Sequence, residues 1–135
     1  VIGVDINPAL QSYFSDHGYD GMSITPLAGY RDSPAPFVVW EESTSTRNSE
    51  QFWLRESALT YYVYDTDLSR AKDIAKVIEN FLHVGDGISP IKARMISPVY
   101  RLCWCRMANG GMFSALEREG FASIVRSFEV GYLEI

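Results

Sequence analysis

Between Ser57 and Leu82 the spacing of apolar residues changes from every second position to every third or fourth, which predicts a strand leading directly into a helix. Leu59, Tyr61 and Val63 alternate with Ala58, Thr60, Tyr62 and Tyr64, and the first set is expected to face the core. Asp65 or Asp67 is placed to cap the helix that follows. Its apolar stripe is Leu68, Ala71, Ile74, Ala75, Ile78, Phe81 and Leu82, with Arg70, Lys72, Asp73, Lys76 and Glu79 on the wet side.

The same reading extends along the chain. Asn7-Pro8, followed by Leu10, Tyr13 and Phe14 and stopped by Gly18, predicts a short helix from about Pro8 to His17. Gly21 to Pro36 carries three prolines and predicts irregular structure, with room for a short strand from Ile24 to Tyr30. Pro36 to Glu42 is dense in β-formers and predicts a strand, with the proline tolerated at its edge. Ser43 to Glu50 is small, polar and aperiodic, and is expected to be an exposed loop that interrupts strand pairing.

After Gly85, Gly87 and Pro90 end the second helix, one strand is expected from about Arg94 to Met107, with Tyr100, Leu102 and Trp104 opposing Val99, Cys103 and Cys105. Asn109-Gly110-Gly111 signals a turn, and Ser114 to Glu119 is expected to be a helical turn within a connection too long for a tight hairpin. Ile124, Phe128, Val130 and Tyr132 alternate with polar or small residues in a last strand. The predicted fold class is therefore α+β, a four-stranded, mostly antiparallel sheet with two helices on one face in the order α-β-β-α-β-β, and residues 1–135 form a single domain.

Composition sharpens the picture only slightly. Hydrophobic residues make up 47% and aromatic residues 13% of the chain, more rings than the core of a domain this size requires. Trp40, Tyr62 and Tyr64 are expected on the sheet face away from the helices, where self-association would cover them. The net charge of -5, with Lys and Arg scattered, lacks the footprint of a protein that grips nucleic acid. No apolar run reaches membrane-spanning length, and the first residues lack the pattern of a signal peptide, so the expected setting is a cytoplasm or a particle assembled there.

Candidate chemistry is sparse. His17 and His83 stand near predicted helix ends without a second ligand at metal spacing, and Cys103 and Cys105 read as reduced core thiols. Asp65-Thr66-Asp67 lacks the later glycine and glutamate of a calcium loop. No phosphate loop, dinucleotide fingerprint or nucleophile elbow occurs, so no enzyme activity and no cofactor are expected.

The segment from Ala58 through the acidic turn at Asp65-Thr66-Asp67 to Leu82, followed by the strand pair Val99 to Met107 and Ile124 to Leu133, resembles the tail terminator and tail completion proteins of long-tailed bacteriophages. Arg126 to Tyr132 is similar to their last strand. The resemblance covers about the C-terminal two thirds and implies a structural virion protein of the tail–neck region. It implies a ring, usually a hexamer, that caps the tail tube, with the tail tube protein and the head–tail connector or head-closure protein as partners. It implies neither sequence-specific nucleic acid binding nor a membrane. Subunit contacts are expected in the Ser43 to Gln51 loop, the Asn109 to Gly120 connection and the tyrosine face, represented by Trp40, Arg47, Asn48, Tyr62, Tyr64 and Phe113. The alternatives are a neck or head-closure protein of the same particle, or a ferredoxin-like domain that binds a small molecule.

Overall fold

A computed structural model describes residues 2–27, 34, 36–43, 46–47, 54–82, 95–97, 100–108, 113–118 and 121–134. Among these residues two helices, α1 (Ile2–Asp16) and α2 (Leu68–Leu82), accompany eight strands: β1 (Ser23–Pro26), β2 (Phe37–Glu42), β3 (Thr46–Arg47), β4 (Leu54–Asp65), β5 (Met95–Ser97), β6 (Tyr100–Met107), β7 (Phe113–Arg118) and β8 (Phe121–Glu134). The strands form one mixed sheet with the path β1-β2-β4-β8-β6-β5, while β3 lies along β4 and β7 along β8. The expected four-stranded, mostly antiparallel sheet is therefore wrong. The sheet gains a parallel edge strand, since β1 pairs in parallel with β2, and two short strands, β3 and β7, that local sequence pattern did not reveal.

The long antiparallel pair β4 and β8 forms the centre, in register from Leu54↔Leu133 to Asp65↔Ala122. Each of these strands is flanked on its outer side by two shorter ones in line. On β4, β2 covers Leu59 to Tyr64 and β3 covers Arg55 and Glu56. On β8, β6 covers Phe128 to Glu134 and β7 covers Phe121 to Ile124. The expected Ser43 to Glu50 loop thus contains β3, and the expected helical turn at Ser114 to Glu119 is replaced by β7. In both places backbone pairing to a neighbouring long strand overrides a weak local preference.

The single strand expected from Arg94 to Met107 is two strands, β5 and β6, paired antiparallel. A second departure sits within β6: the register shifts between Leu102 and Trp104, so Leu102 pairs with Tyr132 and Trp104 with Gly131. Such a bulge adds one residue and changes the phase of the alternation. Leu102, Cys105 and Met107 consequently face the helices, while Trp104 and Arg106 belong to the other face, contrary to strict alternation.

Helix α1 begins six residues earlier than expected and runs through Pro8. Ile2, Ile6, Leu10 and Phe14, four apart and fully buried, form the stripe that fixes it to the sheet. Glu42 of β2 accepts the Gly3 amide at its first turn (3.2 Å) and the Ser57 hydroxyl (2.9 Å), so a carboxylate 39 residues away supplies the cap. The other end closes on Gly18 at φ 87°, with Tyr19 N donating to Phe14 O (2.8 Å) and Gly18 N to Ser15 O (3.4 Å). This is the paired-bond ending that favours glycine, completed by edge-on contact of the Phe14 and Tyr19 rings.

Helix α2 is capped as the sequence implies: Asp67 accepts the Ser69 amide (3.0 Å). Asp65, fully buried, accepts the Asp67 amide (3.1 Å) and is held bidentately by Arg70 (2.5 and 2.7 Å). Burial alone would raise the Asp65 pKa, but these hydrogen bonds outweigh it and hold the carboxyl below its ordinary value. The same pairing raises the pKa of Arg70. Glu79 of α2 meets Arg126 of β8 (3.2 Å), tying helix to sheet.

Both helices and the inward residues of the central strands share one core, including Leu59, Tyr61, Val63, Ile124, Phe128 and Val130. Tyr61 is fully buried and donates its hydroxyl to Asn7 Oδ1 of α1 (3.0 Å). Burial, with smaller contributions from Cys105 and Glu42, pushes its pKa far above that of a free phenol.

Candidate assembly surface

The sheet face turned away from α1 and α2 divides into three zones. At one end Phe37 and Tyr64, paired across β2 and β4, stack at 5.1 Å and 14°, and Phe121 meets Phe37 edge-on at 6.0 Å. Val39 and Tyr62 complete this apolar zone. In the middle the Thr60 and Ser127 hydroxyls bond across β4 and β8 (3.0 Å), and Tyr62 donates to Glu41 (2.6 Å).

The opposite end is polar and grooved, with a volume of about 430 Å³ lined by Ser43, Glu56, Ala58, Trp104, Arg106 and Glu129. Cross-strand register builds it: Ala58 pairs with Glu129 and Glu129 with Arg106, while Glu56 pairs with Gly131 and Gly131 with Trp104. Arg106 reaches Glu129 (2.6 Å) and lies 5.5 Å above the Trp104 ring. The Arg106 and Glu129 side chains are 66% and 43% exposed, so water screens the pair and both charges remain open to a neighbour.

The residues expected from the sequence to make subunit contacts have different fates. Trp40 is on the wrong face: it is 8% exposed, belongs to the core beneath α1 and packs over Gly3. Its position in β2 sets this, because Val38 and Trp40 alternate with the outward Phe37 and Val39. Tyr62 and Tyr64 do lie on the face away from the helices, but Tyr64 is 7% exposed and spent on its stack with Phe37. The backbone of Arg47 is in β3 opposite Arg55, and that of Phe113 is in β7 opposite Ile124. Asn48 and His83 lie outside the described residues.

The grooved end went unread because the bulge after Leu102 puts Trp104 and Arg106 opposite the face that alternation assigns. One signal was available. A glycine inside a strand, Gly131, marks a place where another group approaches the backbone closely.

His17 Nδ1 lies 2.8 Å from the Tyr13 carbonyl in the last turn of α1, a terminal role. Cys105 is half-buried and packed against the core. Among the described residues no three His, Cys, Asp or Glu side chains gather as a metal site, and no helix is long and apolar enough to cross a membrane.

No protein-family profile and no curated protein sequence matches this chain. A solved structure does. The chain is similar in fold to one in a structure described as "Virion of native gene transfer agent (GTA) particle", with a TM-score of 0.61 and 12% sequence identity over 98% of this chain and 91% of that one. At that identity the likeness is one of fold, and it extends over both helices and the whole sheet.

Proposed function

We propose that this chain is a structural component of a phage-like virion, and within it a tail terminator: a protein that forms a ring on the end of the tail tube and joins it to the head connector. The observation that carries the reading is the fold likeness to a virion chain over nearly the full length of both proteins. The acidic turn between β4 and α2 and the closing pair β6 and β8, the segments in which the sequence resembles tail terminators, are present as strand, capped helix and paired strands.

Its work is assembly rather than catalysis. A ring requires two different surfaces on each subunit that fit each other, and the two sides of this molecule are unlike: one presents helices, the other a sheet face with a charged groove at one end. An acidic chain suits a passage through which DNA slides without sticking. Its partners on this reading are further copies of itself, the tail tube protein and the connector or head-closure protein.

Light scattering of the purified protein, alone and with assembled tail tubes, tests the reading. The expected result is a hexamer, or a monomer that becomes a ring on tube ends, with tubes of uncontrolled length when the protein is omitted from assembly. Binding to isolated connectors but not to tubes would point to a head-closure protein. A monomer or dimer that ignores both would overturn the virion reading and favour a ligand-binding domain.

A further inference from the structure

Helix α2 presents Lys72, Asp73 and Lys76 on its exposed side, opposite the stripe of Ala71, Ile74, Ala75 and Ile78 that faces the sheet. Lys72 and Lys76 are one turn apart and project together. The groove on the far side of the same sheet carries the converse set, Glu56 and Glu129 with one cation, Arg106. Two cations and a carboxylate on one side thus correspond to two carboxylates and a cation on the other.

Helix α2 lies over the Asp65 half of β4, where Arg70 meets Asp65 and Glu79 meets Arg126, and the groove lies on the other face over the Glu56 half, so the two patches stand on opposite faces and toward opposite ends of the central strands. A sheet takes a helix layer on either face, and here both helices occupy one. We propose that the groove on one copy receives the outer face of α2 from the next copy, with Lys72 and Lys76 directed to Glu56 and Glu129, and Asp73 to Arg106. The contact is heterologous, the type that builds a ring where the rotation from copy to copy closes. It rests on the ring reading given above and deepens it by naming the two surfaces that meet.

Charge reversal tests it in the intact chain. The double variant Lys72→Glu, Lys76→Glu alters only exposed helix positions, so its thermal midpoint should stay near that of the wild type while the concentration needed for assembly, alone or on tail tubes, rises about tenfold or more, since like charges now oppose. Adding Glu56→Lys and Glu129→Lys to the same chain should restore assembly. Should Glu129→Lys unfold the chain, Glu56→Lys alone, added to the lysine double variant, should recover part of the loss.

A lysine double variant that assembles like the wild type, or a folded compensated variant that recovers nothing, would overturn the contact and leave the ring reading intact. A wild-type chain that forms no oligomer alone or on tubes would overturn both.

Discussion

Trp104 of β6 covers Gly131 of β8, its register partner, so closely that a β-carbon on residue 131 would stand 2.5 Å from indole Cε2. The tryptophan fills the place a side chain would take, and in doing so forms one wall of the polar groove and a platform for Arg106. Gly131→Ala should therefore lift the indole, at a cost of about 1–3 kcal/mol for overpacking. Urea denaturation measures it. Trp104→Ala in the same chain removes the clash, so the two substitutions together should cost less than their sum.

A tryptophan also covers a glycine on the helix side, where a β-carbon on Gly3 would stand 2.5 Å from Trp40 Cζ3. Replacing a helical glycine by alanine ordinarily stabilises by up to about 1 kcal/mol. Here the sign should reverse. Gly3→Ala forces apart α1 and a ring that is 8% exposed, and thermal unfolding should show a lower midpoint than the wild type.

Tyr61 and Asn7 join the centre of the sheet to α1 through one hydrogen bond (3.0 Å). Tyr61→Phe keeps the ring and leaves the amide oxygen without this donor, which should cost about 1 kcal/mol in chemical denaturation. The raised pKa adds a pH signature. The phenol stays neutral in the fold while an unfolded tyrosine ionises near 10.0, so stability contributed below that value should be lost as pH rises beyond it, and less so in the Phe variant.

Asp65 gives the opposite signature at acid pH. Its pKa is held below the ordinary 3.8, so its ionised form contributes stability above that value, and the contribution disappears as pH falls through the lower, folded value. Asp65→Asn should be less stable than the wild type at neutral pH, with the gap closing below 3.8. Urea midpoints for both proteins across acid pH check it. A gap independent of pH would show that shape, rather than charge, is what Arg70 and the α2 entry require of this residue.

What could be read in the sequence was whatever a segment decides with its own residues. Leu59, Tyr61 and Val63 are all fully buried, as their alternation implies, and so are Ala71, Ile74, Ala75 and Ile78 at helical spacing. Asp67 caps α2 because the bond spans two residues and needs no distant partner. The outward position of Tyr62 was legible for the same reason, since a strand fixes the side of each residue from its neighbours.

The rest was decided between segments. Nothing local in Thr46–Arg47 or Phe113–Arg118 distinguishes a strand from a loop; backbone groups of a longer neighbour recruit both of them. The parallel seating of β1 beside β2 depends on how the chain returns across the sheet. Trp40 is interior because of which side of β2 receives α1, and Trp104 is exterior because one extra residue in β6 shifts the phase of everything after it. Alternation records that two sides exist; only tertiary packing decides which side is dry, because that depends on where the helices come to rest.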